Sequence, residues 1–335
     1  MKIIIDAMGG DNAPASNVGG ALKARDELGV NIALVGRKAD IEACLGNADR
    51  SKIEIVEADE IITMEDDPSS ATRKKKNSSM AVALRLLADG EGDAVISAGS
   101  TGALLTGATL TVKRVRGIRR AALAPVLPNG KSGVVLIDCG ANVDCTAEYL
   151  LQFAFMGSFY SQHMLGIKKP KIGLLSNGTE DTKGGELQKQ AFALLLQASD
   201  DDRINFIGNI EGSDVLSGKV DVVVTDGFTG NVFLKSTEGT IKFIMQNLRS
   251  IFTSSRRHKL AAIVLKKEFS KLKDSLDVNK VGGTALLGIS KPVIKAHGSS
   301  TDEAISSAIK QAKMFAEANV IEEIQKNISF MRLPV

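Results

Sequence analysis

The stretch VVVTDGFTGNVFLKS, residues 222–236, decides how the rest of the chain is read. Three valines and a threonine run without polar alternation into Asp226-Gly227, and Gly230 precedes Asn231. A short continuous run of β-branched residues reads as a strand covered on both faces. The Asp-Gly turn closes that strand, and a helix begins after it. Turns of this kind are common places for chemistry. Yet between Thr225 and Asn231 there is no serine, cysteine or histidine that could attack a substrate.

The same unit recurs along the chain. Apolar runs stand at 2–6 (KIIID), 31–36 (NIALVG), 52–56 (KIEIV), 93–97 (DAVIS), 133–138 (GVVLID), 171–176 (KIGLLS), 203–208 (RINFIG) and 220–226 (VDVVVTD). Longer segments of helical period separate them. This alternation predicts an α/β fold of three layers, with a doubly wound, mostly parallel sheet between helices. No internal repeat, low-complexity tract or linker divides residues 1–335, so one α/β catalytic unit is expected, with a helical excursion near 240–276.

Several of these strands end alike. DAMGGDNAP, SAGSTGALL, DCGANVD, SNGTEDTKGGE and TDGFTGN all mix glycine with Asp, Asn, Ser or Thr. Open parallel sheets bind ligands at the carboxyl ends of their strands, where glycine lets backbone N–H groups approach an anion. Turn residues alone would have this composition. Five such loops on one edge favour a polar site.

Composition narrows the chemistry. Of 335 residues 44% are hydrophobic and 24% charged, and the net charge is +3. So small a charge, with 4% aromatics and no Trp, argues against nucleic acid. The three cysteines, Cys44, Cys139 and Cys145, suit a reducing cytoplasm better than a disulfide scaffold. The start, MKIIIDAMGGDN, is too short for a signal h-region, and no run approaches the ~20 apolar residues of a membrane span. A cytoplasmic protein is expected, at most lying on a membrane.

The familiar motifs fail. No G-x-G-x-x-G follows the first strand and no G-x-S-x-G elbow occurs. Gly130-Lys131-Ser132 resembles the end of a Walker A loop, but Pro125 stands where its first glycine should be. His163 and Cys145 lack zinc-ligand spacing, and Cys139 reads as a small core residue. Neither a metal nor an organic cofactor is implied. Lys183, in a glycine-flanked loop before a helix, is a natural partner for a phosphate. Ser100 and Thr101 stand at another helix start, where Ser100 also suits an N-cap. His297 lies beside Gly298 and Ser299 in a turn. Donors for a phosphate are abundant and a protein nucleophile is missing. Phosphate itself, already an oxyanion, can be the nucleophile.

Taken together, DAMGGDNAP (6–14), RKKKNSSM (73–80), SAGSTGAL (97–104), DCGANVD (138–144), NGTEDTKG (177–184), TDGFTGN (225–231) and IKAHGSS (294–300) resemble the bacterial phosphate acyltransferases of phospholipid synthesis. The resemblance runs from residue 3 to about 320, and its specificity lies in the joint order of the motifs. It implies a fold similar to isocitrate and isopropylmalate dehydrogenases and phosphotransacetylase. It also implies a homodimer and the reaction of acyl-[acyl carrier protein] with inorganic phosphate to acyl phosphate. A membrane acyltransferase would then pass the acyl group to glycerol 3-phosphate. Mapped on this sequence, the catalytic group would be Lys183, Asp226 and Asn231. Substrate and phosphate would be bound by Asp6, Gly9, Gly10, Asp11, Ser97, Gly99, Ser100, Thr101, Gly102, Asn142, Asn177, Gly178, Thr179, Glu180, Gly227, Gly230, His297 and Ser299. In that scheme the backbone of 99–102 and 178–180 cradles phosphate and Lys183 neutralises it. Asn231 or an N–H of 227–230 holds the oxyanion. Asp226 orients Lys183 or the phosphate, or relays a proton to the leaving thiolate. Cys139 and Cys145 sit where the family pattern demands no thiol, which counts against an acyl-cysteine.

Two basic segments suggest partners. Arg73, Lys74, Lys75 and Lys76 precede a helix capped by Ser78 and offer a docking patch for the acidic carrier protein, or simply a solvated charge run. Residues 254–274 hold Arg256, Arg257, Lys259, Lys266, Lys267, Lys271 and Lys273 against Glu268 and Asp274, a net 7 − 2 = +5. Leu260, Ile263, Val264 and Leu265 lie among those cations and suit the surface of an anionic bilayer. Packing on the core or on a second subunit is the plainer reading. Two other functions compete: a decarboxylating dehydrogenase, which would need a metal-binding aspartate cluster and an adenosine pocket, and a non-catalytic membrane adaptor, which leaves the strand-end loops unexplained.

Overall fold

We describe a computed structural model of the chain, covering residues 1–276 and 282–331. Each of the eight apolar runs contains a strand: β1 (Lys2–Asp6), β2 (Asn31–Gly36), β3 (Ile53–Glu57), β4 (Ala94–Ser97), β7 (Val134–Ile137), β8 (Lys171–Leu175), β9 (Asn205–Ile210) and β10 (Val222–Val224). Four further strands were not legible: β5 (Ala122–Ala124), β6 (Val126–Leu127), β11 (Thr284–Leu287) and β12 (Val293–Lys295).

Among the described residues the strands form two sheets, in the orders β3-β2-β1-β4-β12-β11-β5 and β6-β7-β10-β8-β9. Both are mostly parallel. Antiparallel pairing is confined to β11 with β12 and β5, and to β6 with β7. The chain crosses from one sheet to the other at Pro125, between β5 and β6. The layered α/β architecture is as the alternation predicts, but the strands divide between two sheets.

Period-2 geometry explains the unbroken apolar runs. In β1, Ile3 and Ile5 pack with Val18 and Ala21 of α1 (Ala15–Leu28) and Ile305 of α10 (Asp302–Glu317). Ile4 points the other way, toward Leu84 and Leu87 of α4 (Ser79–Asp89) and Leu104 of α5 (Thr101–Gly107). In the second sheet Val222 and Val224 share a cluster with Phe153 and Ala154 of α6 (Ala147–Leu165), while Val223 joins Phe233 and Leu234 on the other face. Both faces of both sheets are therefore covered.

The excursion is larger than its pattern suggests. Helix α8 (Gly227–Thr253) has 27 residues, about 40 Å at 1.5 Å per residue. It is followed by α9 (Arg256–Leu276), and Phe252 meets Phe269 edge-on across the pair, with ring centroids 4.5 Å apart. The side chains of Arg256, Lys271, Lys273, Asp274 and Leu276 lie outside the described residues. No described helix is long and apolar enough to cross a membrane.

Candidate active site

At the carboxyl edge of the first sheet, three loops are knit through their backbones. Asp6 is buried at the end of β1, and its Oδ2 accepts from Ser97 Oγ at 2.6 Å, at the end of β4. Its Oδ1 is buried without a hydrogen-bond partner, and burial pushes the carboxyl above the usual carboxylate range. Gly9 is required here: a Cβ would lie 2.6 Å from Asp6 Oδ2 and 2.7 Å from Gly99 N. Asp11 N donates to Gly298 O at 2.8 Å and Asn12 Nδ2 to Ser300 O at 3.1 Å, tying the loop after β1 to the loop after β12. Gly10 (φ +103°) sits in the same crossing, where only glycine is unstrained. Ser100 caps α5, accepting from Ala103 N at 3.5 Å, and Gly99 N already donates to Ser97 Oγ at 3.1 Å. Pro68 covers Gly102.

The second sheet answers the question raised by its Asp-Gly turn. Asp226 is the N-cap of α8: Oδ1 accepts from Thr229 N at 2.8 Å and Oδ2 from Thr229 Oγ1 at 2.7 Å. Gly227 N donates to Asn142 O at 2.7 Å, and Gly230 presses against the Asp138 carbonyl. Asp138 is the hub of this edge. Its buried carboxylate accepts from Leu123 N at 2.9 Å, Ala141 N at 3.2 Å, Asn142 N at 2.7 Å and Asn142 Nδ2 at 3.0 Å. Asn142 also donates to Ala121 O at 2.8 Å, so its side chain braces the two sheets.

Between these edges lies an open cleft of about 500 Å³. Its polar wall carries Asp11, Thr101, Asn231, Lys235, Lys295 and His297, and Leu123, Pro125, Val126 and Leu234 supply apolar floor. Lys235 pairs with Glu238 at 2.8 Å. Lys295 Nζ donates to Ala98 O at 3.3 Å and to Ala296 O. Burial lowers its ammonium to about 8, with the Asp6 carboxyl opposing and the Lys235 cation adding to the fall. His297 is exposed, and its Nδ1 lies 2.9 Å from Ser299 Oγ. Cys139 lines the cleft but is 6% exposed, and burial holds its thiol well above the ordinary range. Burial likewise pushes Cys145 up to about 12. Among the described residues no cluster of three or more His, Cys, Asp or Glu could hold a metal ion.

Residues 1–323 match the family model described as fatty acid synthesis protein. A phosphate acyltransferase of Bacillus cereus is 50% identical over 327 residues, 97% of each chain. That of Clostridioides difficile is 45% identical over 332 residues, 98% of this chain and 96% of the relative. The chain belongs to the bacterial phosphate acyltransferases. It is an acyltransferase enzyme of lipid biosynthesis. The fold is shared more widely. A phosphotransacetylase from Streptococcus pyogenes superimposes with a TM-score of 0.62 at 18% identity, over 96% of this chain and 94% of that one. A branched-chain phosphotransacylase from Enterococcus faecalis gives 0.53 at 17% identity, over 94% and 98%.

In this enzyme Asp11, Thr101, Asn231 and His297 come together in one cleft, drawn from both sheets. Lys183, Asn177, Thr179 and Glu180 do not line it. They stand on the loop after β8, where Asn177 Oδ1 accepts from Gly184 N at 2.9 Å and Asn209 Nδ2 donates to Glu180 O at 2.8 Å. Gly178 is buried beneath Lys183, whose Cγ would be 2.8 Å from a Cβ there. The cationic run also divides. Arg73, Lys74 and Lys76 are exposed, whereas Lys75 turns inward to Ile61 O at 2.9 Å and Asp66 Oδ2 at 2.6 Å. Ser78 caps α4 as expected, accepting from Ala81 N at 3.3 Å.

Two cleft cations escaped the sequence reading. Lys295 belongs to the quoted IKAHGSS motif, but β12 follows Pro292 with only two apolar residues, so the lysine had no sheet edge to belong to. Lys235 had a usable signal. Asn231, Lys235 and Glu238 recur at i, i+4 and i+7, one face of α8, and that face lines the cleft.

Proposed function

We propose that the enzyme transfers the acyl group of acyl-[acyl carrier protein] to inorganic phosphate, by direct attack of phosphate oxygen on the thioester carbonyl. One observation carries this reading. The cleft gathers Thr101, Asn231, Lys235 and Lys295, while the single thiol on its wall, Cys139, is kept protonated by burial. Such a wall can hold an oxyanion and stabilise a second one developing on the carbonyl, without a nucleophile of its own. In this scheme Thr101 and Lys235 receive phosphate and Lys183, on the loop after β8, neutralises it on its approach. The Asn231 amide meets the tetrahedral oxyanion. Asp226, occupied as a helix cap, keeps Asn231 in position.

Purified enzyme incubated with acyl-carrier protein and phosphate should form acyl phosphate, trapped as a hydroxamate by hydroxylamine. With Cys44, Cys139 and Cys145 all replaced by alanine, most of that activity should persist. Mass spectrometry during turnover should find no stoichiometric acyl adduct. An adduct on Ser299, paired with His297, would replace direct attack by a covalent route.

Partners follow from the surface. Arg73, Lys74 and Lys76 offer the carrier protein an exposed basic patch. Lys74→Glu should raise the KM for acyl-carrier protein several-fold more than that for phosphate, and added salt should mimic it. An equal change in both would point to simple destabilisation. On α9, Leu260 is 65% exposed and Val264 82%, with Ile263 and Leu265 beside them. This supports peripheral binding to an anionic membrane, where the membrane glycerol-3-phosphate acyltransferase would take up the product. Leu260→Glu with Val264→Glu should abolish flotation with anionic liposomes and leave solution turnover intact. Flotation equal to wild type would leave these residues to a protein contact. Phe228, Val232 and Phe243, exposed along α8, suit a second copy of the chain in a homodimer.

A further inference from the structure

We infer that Lys295 is a further catalytic residue, the acid that protonates the departing carrier thiolate. The inference rests on the reaction proposed above and deepens it.

The reaction poses a proton problem. When phosphate dianion attacks, a C–O bond forms and the C–S bond breaks. The acyl phosphate dianion that results has lost the proton of the phosphate hydroxyl, and the thiolate has gained one. A group that can give a proton to sulfur and take one from phosphate completes the balance with no other reactant. Its pKa must lie near that of the thiol, about 8.5, because transfer is most effective between matched groups near the working pH.

The cleft offers few candidates. Asp226 does not line it and has both carboxylate oxygens engaged by Thr229. Cys139 is a buried thiol whose Sγ lies 3.5 Å from Gly230 O. Lys235 is paired with Glu238. His297 is exposed and its Nδ1 is engaged by Ser299. Lys295 differs from all of these. It ends β12, its ammonium donates to the backbone carbonyl oxygens of Ala98 and Ala296, and it lines the wall with Thr101 and Asn231. Carbonyl partners accept hydrogen bonds from the ammonium without neutralising its charge. The charged and titratable groups around it are Asp6 and Asp11 from β1 and its loop, Lys235 and Glu238 from α8, and His297 from its own loop. Their joint effect with burial leaves the ammonium at about 8 instead of the ordinary 10.5, close to the thiol it would serve.

The sign of the pH dependence follows. The protonated lysine is the active form, so kcat/KM should decline as pH rises through about 8. Lys295→Gln should lower kcat by about 10²- to 10⁴-fold, the range for losing a general acid. Lys295→Arg keeps the charge but cannot give up its proton. It should retain the wild-type KM for phosphate, lose a similar factor in kcat and lack the alkaline decline. The decisive substrate is an acyl thioester of an aromatic thiol, whose low-pKa sulfur departs without protonation. Both variants should approach wild-type turnover with it. Equal loss with the aromatic and the carrier thioester, in variants with wild-type circular dichroism, would overturn the inference and leave Lys295 a phosphate ligand. So would wild-type kcat in Lys295→Arg. If the wild type itself forms no hydroxamate, the function reading fails instead.

Discussion

Gly230→Ala is expected to loosen helix α8 from its seat and to destabilise the enzyme by about 3 kcal/mol, the upper range for forced overpacking. The added Cβ would fall well inside contact distance of the Asp138 carbonyl oxygen and 2.9 Å from Thr225 Cγ2. Neither neighbour can yield cheaply. Asp138 is buried, and its side chain is fixed by Leu123, Ala141 and Asn142. Thr225 N donates to Ile137 O at 2.8 Å and Asp138 N to Thr225 O at 3.0 Å, so the two loops are locked to each other. The helix must therefore move, carrying Asn231 and Lys235 away from the opposite wall. A displacement of about 1 Å can cost about 10²-fold in rate, so turnover should fall by that order. Urea unfolding and hydroxamate formation would measure the two effects. Gly239→Ala provides the control, since nothing lies within 4 Å of its Cβ position in the same helix. It should stabilise by up to about 1 kcal/mol through helix propensity. An unchanged urea midpoint in Gly230→Ala would show that the seat is not as rigid as its hydrogen bonds suggest.

Lys183→Ala is expected to lower turnover by about two to three orders of magnitude, the scale for losing one key electrostatic donor. The side chain is exposed and has no ion-pair partner among the described residues. The loop that presents it is braced nonetheless. Lys183 N donates to Glu180 O at 3.0 Å, Asn209 holds the same oxygen, and Gly184 (φ +93°) closes the turn onto Asn177. An exposed cation on a braced loop at a sheet's carboxyl edge is available to an anion. The loss should be greatest at low phosphate and should leave the unfolding midpoint within about 0.5 kcal/mol, as expected for an exposed side chain. Wild-type turnover at low phosphate would remove Lys183 from the reaction and leave the cleft residues to act alone.

Residue order alone was enough to determine the class of the fold, eight of the strands that carry its core and the family. Runs such as KIIID and VVVTD have one stable use in water, as strands buried on both faces, because unbroken β-branched sequence leaves no polar face to solvate. The loops that end them were legible for the same reason: glycine, Asp and Asn cluster where a strand must stop and a helix start. Ser78 and Ser100 could be read as caps from the same local rules. What followed from long-range contacts could not be read. Strands such as β6 and β12, which lie in no longer unbroken apolar run, have too little local pattern to be seen, and they exist because neighbouring strands complete their hydrogen bonds. The division into two sheets at Pro125 depends on β5 finding its partner far along the chain, in β11, while β6 turns back on the nearby β7. Asp138 looked like one more polar loop residue, but tertiary structure buries it and aims donors at it from β5 and from its own loop. Lys295 shows the limit most clearly. Its charge was visible in the sequence. Its lowered proton affinity comes from burial, partly offset by the carboxyl of Asp6, which lies 289 residues away in the chain (295 − 6). Desolvation and Coulomb interaction depend on distance in space, and that distance is set only when the two ends of the chain meet in one sheet.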